Sequence, residues 1–237
     1  MAQLIIPNNN LFIVTSALDT GIGIIGAKDR LDQTIATLEN LKQKVPDAAV
    51  LLVDGSPNQI PDSTKNKIAE YCQAIWWNDP DIYAMASSGR KSEAEVIMVF
   101  KTLMMFKSNP QLMQFFHSIK RIFKYSARSA LTDNFDITKY DNLFGKYVFK
   151  KSIPSWMDEN RKRSVTDHLY ITRFYSLCPS LLDNYLQTLQ PILNNVIQHG
   201  IDTEHSHYLC LDKRYVVEFE NVGVEGIMGG TGQKEVY

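Results

Sequence analysis

Asp54 closes an apolar run, Ala49-Val50-Leu51-Leu52-Val53, and the turn Gly55-Ser56-Pro57 follows it at once. An acid at the carboxyl end of a strand can accept hydrogen bonds from a base or a ribose, because ligands of open α/β sheets lie just beyond those ends. With Thr15 ending an earlier run, Leu11-Phe12-Ile13-Val14, this pattern predicts a nucleotide-type site near Thr15 and Asp54. Between them, residues 21–26 spell GIGIIG, the GxGxxG pattern that sets a pyrophosphate on a helix N-terminus. Its context differs from that use. Ser16 to Thr20 separate the strand from Gly21, and the helix is predicted to begin near Lys28 or Asp29. Asp54 also lies well past the ~20 residues usual for a ribose-binding acid. The stretch reads as a surface loop, and NAD-dependent oxidation remains its alternative. Asp79-Pro80-Asp81 offers two carboxylates that could hold Mg²⁺ with phosphates and water completing the octahedron, although acids on a turn are usually just solvated. His205 and His207 cannot share a helix face, which argues against a dihistidine metal site. His117, His168 and His199 stand alone and read as structural.

The elements that must position these groups follow from hydrophobic period. Leu31, Ile35, Leu38, Leu41 and Val45 recur at helical spacing between the two apolar runs, so the chain opens as a βαβ unit. A helix is predicted over 63–74, a short strand over 75–77 and a polar loop over 87–91. Ser92 and Glu95 have the spacing of a capping box for a helix over 93–107, apolar nearly all round and therefore buried against a sheet. Pro110 begins a short helix, and 119–127 reads as a central strand. Further strands are predicted over 147–149, 169–176 and 215–219. A long helix runs from Pro179 to Gly200, a short one spans 202–209, and the glycine-rich tail from Gly223 is predicted to be irregular.

At 237 residues and 44% hydrophobic content, the chain can bury a sizeable core as one domain. Its net charge of −1 gives no bias toward nucleic acid or membranes, and Lys120-Arg121, Lys150-Lys151 and Arg161-Lys162-Arg163 read as solvated surface. Cys72, Cys178 and Cys210 show no CxxC or metal spacing and read as free thiols of a reducing compartment. No apolar run approaches the ~18 residues of a membrane span, and Met1 to Pro7 has no signal-peptide pattern. A soluble cytoplasmic location is expected, in the host cytoplasm if the protein is viral.

Residues 121–136, RIFKYSARSALTDNFD, resemble a K-x-S-G-R-Y-x-L-x-D-x-F signature of small glycosyltransferase-like proteins from bacterial polysaccharide loci and large viruses or phages. The order of other segments is similar too: Arg30, Gln33-Thr34, Leu38, Pro46 and Asp54; then Thr172-Arg173-Phe174-Tyr175-Ser176; then Asp202-Thr203-Glu204-His205; and finally Val222-Gly223-Val224-Glu225-Gly226. The resemblance implies an α/β, GT-A-like (Rossmann-like) domain over 1–237 with a central mixed, mostly parallel sheet flanked by helices. Residues 1–110 would form a nucleotide-binding half and 111–237 an acceptor and catalytic half. It implies transfer of a sugar from a nucleotide-sugar donor to the hydroxyl of a glycan or of a modified base in phage-type DNA. A non-catalytic binding module of the same fold is the alternative.

Thr15, Ser16, Arg30 and Asp54 would then meet the nucleoside, and Lys91 and Glu95 lie where related folds place donor contacts, although Glu95 could serve only the capping box. Most GT-A enzymes carry D-x-D at the central strand end, but this chain has Ser126-Ala127-Arg128-Ser129. Arg128, with Lys124 and Ser126 beside it, would therefore hold the leaving diphosphate directly, so a divalent metal is possible but not expected. Arg128 could instead pair with Asp133 or Asp136 and only fix its loop. Glu204 is the candidate base for the acceptor hydroxyl, with His205 second, although Asp202-Thr203-Glu204 is also a good helix start.

Overall fold

Along the first strand, Leu11 and Ile13 enter one core while Phe12 and Val14 enter another. Alternate side chains of a strand point to opposite faces, so a run that is apolar at every position belongs inside a sheet covered on both sides. The computed structural model, which describes residues 10–19, 25–88, 90–227 and 234–237, has that architecture. Its first half runs β1 (Asn10–Ser16), α1 (Ala27–Lys44), β2 (Ala49–Asp54), α2 (Asp62–Ala69), β3 (Gln73–Trp76), α3 (Pro80–Ser87), α4 (Lys91–Ser108) and α5 (Pro110–His117). The second half runs β4 (Arg121–Ser126), β5 (Ser129–Leu131), β6 (Tyr147–Lys150), β7 (Ile153–Pro154), α6 (Glu159–Ser164), β8 (His168–Leu169) and β9 (Phe174–Leu177). It closes with α7 (Leu182–His199), α8 (Thr203–Cys210), β10 (Val216–Phe219), β11 (Val224–Ile227) and β12 (Lys234–Val236).

The main sheet has seven strands in the order β10-β6-β9-β4-β1-β2-β3. β9 runs antiparallel to both of its neighbours, and the other pairings are parallel. On one face, α4 and α7 bury Val99, Leu103, Tyr185 and Leu189 with Ile13, Phe149 and Tyr175 of the sheet. On the other, Leu38 and Leu41 of α1 meet Phe12, Phe123, Tyr125 and Phe174, and the Phe12 and Phe123 rings stack at 4.5 Å. Both registers are thereby pinned, because a slip by one residue would exchange the two faces.

The structure departs from the sequence expectations at several elements. The helix predicted over 63–74 ends at Ala69, because Gln73 and Ala74 pair with Leu51 and Leu52 of β2. Pro80 does not mark an open turn. It occupies the first turn of α3, and Asp79 caps that helix by accepting from Asp81 N at 3.0 Å. The tail predicted to be irregular forms β11 and β12, which join β5 in a three-stranded antiparallel sheet. Gly223 enters it at φ 70°, where a Cβ would come within 2.3 Å of Phe135 N. Arg121 is not solvated surface: it is buried, and its guanidinium donates to Ser176 Oγ and to the carbonyls of Leu143 and Lys146.

Candidate active site

The register aligns Ser16 with Asp54 and Thr15 with Ser126, so the carboxyl ends of β1, β2 and β4 form one rim. A cavity of about 190 Å³ opens on this rim, lined by Thr15, Ser16, Arg30, Ser126, Arg128 and Glu204 among others. With Glu95, seven of the residues given site roles from sequence therefore converge here, from segments far apart in the chain. Gly55 lets α4 approach, since a Cβ there would lie 2.7 Å from Met98 Sδ.

Asp54 acts here within the protein. Its carboxylate accepts from Ser16 Oγ, from Leu18 N at 3.0 Å and from Ser56 N at 2.9 Å, which fixes the two loops leaving β1 and β2. Arg30 is buried, and it donates to the carbonyls of Ile25 and Ala17 at 3.0 and 3.1 Å. Burial lowers its pKa, opposed by Asp19 and Asp54. Residues 20–24, most of the GIGIIG stretch, lie outside the described residues, as does the side chain of Lys91. Gly26 precedes the first residue of α1.

Arg128 stands in the tight connection from β4 to β5. It does not pair with Asp133, which bonds Lys44, nor with Asp136, which accepts from Thr138 N at the start of a 3₁₀ turn. Its Nε has no hydrogen-bond partner among the described residues. Burial, then the charge of Arg30, lowers its pKa, while Glu95 opposes them and Arg173 adds a further repulsion. Three arginines thus line one small cavity beside Glu95 and Glu204, Arg30 and Arg173 donating to backbone carbonyls while Arg128 Nε is left unpaired among the described residues, a group suited to an anion. Arg173 belongs to the segment 172–176 that carries the resemblance, but no role in the site was read for it from sequence. It precedes β9, whose antiparallel pairing with β4 brings its carbonyl to accept from Ser126 N at 3.0 Å, so the two strands present their arginines together.

Lys124 is turned inward, which corrects its expected place at the diphosphate. It is 3% exposed, its ammonium lies 2.6 Å from Glu95 Oε1, and it donates to Thr172 O at 2.9 Å. Glu95 also accepts from Thr15 Oγ1 at 2.6 Å, so no capping box forms: α4 begins at Lys91, and its N-cap, Arg90, makes no side-chain capping bond to the helix. Burial opposes ionisation of Glu95, yet Lys124 prevails and holds its pKa below the ordinary value. Thr15, Glu95, Lys124 and Thr172 form a continuous polar floor, and Thr172 Oγ1 extends it to Glu204 Oε1 at 3.3 Å.

Glu204 follows the first residue of α8. Burial, then the neighbouring Asp202 carboxylate, raises its pKa to about 7, where a carboxyl group can take or give a proton at neutral pH. His205 is placed elsewhere, which removes it as the second base. It is fully buried, with Nδ1 on the Asp202 carboxylate at 2.7 Å and Nε2 on Ser155 Oγ at 2.8 Å. This Ser-His-Asp order resembles a hydrolase triad, but Ser155 is buried and its Oγ already accepts from Met157 N at 3.0 Å. The set clamps α8 to the β7–β8 connection. His207 points to Tyr185 Oη and Thr203 O, and burial lowers its pKa to about 4.

A divalent metal does not fit the end of β4, where Ser126 and Arg128 supply no carboxylate and a guanidinium would repel the ion. Asp79 and Asp81 lie away from this cavity, with Asp79 bound to Lys101 and to its own helix. Among the described residues, no group of three or more His, Cys, Asp and Glu could hold a metal ion, and no helix is long and apolar enough to cross a membrane.

No protein-family model matches the chain, and no curated protein matches it in sequence. Solved structures do match. The galactosyltransferase LgtC, solved with donor and acceptor sugar analogues, aligns over 88% of this chain and 72% of its own with a TM-score of 0.55 and 10% identity. Core-mannan synthase A of Aspergillus fumigatus, in a form with manganese and GDP, aligns over 90% and 73% with a TM-score of 0.51 and 10% identity. At such identity the likeness is one of fold: this is an α/β domain similar to the GT-A glycosyltransferases, with a mixed, mostly parallel seven-stranded sheet flanked by helices.

Proposed function

We propose that the protein transfers a sugar from a nucleotide-sugar donor to an acceptor hydroxyl. The observation that carries this reading is the convergence of Arg30, Arg128 and Arg173 with the proton-exchanging Glu204 around one cavity at the strand ends. Residues 1–110 supply the nucleoside side through Thr15, Ser16 and Arg30, with Asp54 holding the two loops in place, and residues 111–237 supply the diphosphate and acceptor side. A cavity of about 190 Å³ is smaller than the roughly 300 Å³ and upward of ordinary ligand pockets, so it takes the diphosphate and sugar while the nucleoside extends over the rim. Glu204 accepts the acceptor's hydroxyl proton as that oxygen bonds to the anomeric carbon. The bond from that carbon to the phosphate oxygen breaks, and the guanidinium groups hold the released charge without a metal. The acceptor in this reading is a glycan. Calorimetric titration with UDP, GDP, CDP and NAD, with EDTA or with Mn²⁺, tests it. One nucleoside diphosphate should bind in EDTA, and the matching nucleotide-sugar should be slowly hydrolysed. Binding without hydrolysis would instead mark a catalytically silent module, and binding of NAD alone would mark an oxidoreductase.

A further inference from the structure

Trp156 is 60% exposed, although both of its chain neighbours are buried. It lies in the connection between β7 and β8, and its surroundings are rigid. Ser155 N donates to Asp167 O at 2.7 Å, Ser155 Oγ meets His205 Nε2 at 2.8 Å, and Met157 N donates back to Ser155 Oγ at 3.0 Å. The indole itself meets the His205 ring perpendicularly, with centroids 5.3 Å apart, and no parallel ring among the described residues covers it. His205 is in turn held by Asp202 and is adjacent in sequence to Glu204. A large flat apolar group is thus held at the surface, packed edge-on against the short helix turn that carries the proposed base. A rigid exposed indole, apolar in body and polar at one edge, is suited to binding a partner that is itself flat and part polar.

We propose that Trp156 is the stacking platform for a pyranose unit of the acceptor, one or two sugars removed from the reacting hydroxyl. The inference rests on the transferase reading above. A neutral sugar fits the surroundings better than a nucleic-acid strand does. Strand binding needs free cations along the backbone and aromatic rings in succession. Here Lys162 pairs with Glu159 at 2.8 Å, Lys151 pairs with Glu220, and Arg161 donates to Gly200 O at 3.3 Å. The net charge of −1 adds no attraction for phosphate.

Saturation-transfer NMR on the full chain tests the platform. The probes are the methyl pyranosides of glucose, galactose and mannose and a short oligothymidylate, in the presence of UDP or GDP. The wild type should saturate the ring C–H protons of at least one pyranoside. Trp156→Phe should retain that signal, Trp156→Ala should lose it roughly tenfold, and nucleotide affinity and Tm should match in all three. Absence of any sugar signal, or an equal signal in Trp156→Ala, overturns the proposal, as does Trp156-dependent binding of the oligothymidylate alone. Trp156-dependent sugar binding without nucleotide binding would uphold the platform and refute the transferase reading.

Discussion

Glu204 makes a quantitative test of the site possible without knowing the substrate. Its carboxyl moves from 4.5 to about 7 on folding, through burial first and the Asp202 charge second. Because the folded state binds the proton more tightly than the unfolded chain, the stabilisation is complete below pH 4.5 and is lost as pH rises toward 7. At about 1.4 kcal/mol per pH unit, the loss is about 3 kcal/mol. Glu204→Gln keeps the shape and an oxygen to accept from Thr172 Oγ1, but it cannot ionise. The variant should therefore melt with the wild type near pH 4.5 and above it at pH 8. For a chain of this length the difference is roughly 6–12 °C. Differential scanning fluorimetry from pH 4.5 to 8.5 reads the gap, which should open between about pH 4.5 and 7 and then stay flat. A gap that is constant with pH, or that opens only outside this window, would refute the assignment of a proton-exchanging carboxyl at the cavity. In the same variant, sugar transfer should be lost, while wild-type activity should rise with pH through a midpoint near 7.

The remaining predictions concern the groups around Glu204. Arg128→Met should weaken UDP or GDP binding by about 1.5–3 kcal/mol in calorimetry, yet Tm should hold or rise because a half-buried guanidinium repelled by Arg30 and Arg173 is removed. Lys124→Met leaves Glu95 without its cation and should cost about 3 kcal/mol or more in urea unfolding, and adding Glu95→Gln should recover part of that loss. Gly55→Ala drives a methyl into Met98 Sδ and should cost about 1–2 kcal/mol, with a cost less than additive when combined with Met98→Ala.

Much of the fold was legible because hydrophobic period is local. The βαβ opening, the buried α4, the central β4 and the long α7 all follow from runs and spacings inside single segments. The misreadings lie where a distant partner overrode local preference. Gln73 and Ala74 left the predicted helix to pair with β2, and the glycine-rich tail became strand because β5 offered it an edge. Glu95 has the spacing of a capping box, but Lys124 and Thr15, both remote in sequence, supply stronger partners than a backbone N–H.

Local apolar runs and their spacing were enough to bring strand ends together near Thr15 and Asp54, and the resemblance carried by residues 121–136 led to the expectation of Arg128 where most GT-A enzymes keep D-x-D. The sequence also placed Glu204 at a helix start. Which of these groups are committed to partners inside the protein depends on the folded arrangement. The antiparallel course of β9 set Arg173 beside β4, the Asp202–His205–Ser155 clamp turned His205 away from the cavity, and the Glu95 pair drew Lys124 into the floor. Pairing direction, burial and the competition for charged partners depend on segments distant along the chain, and no local pattern encodes them.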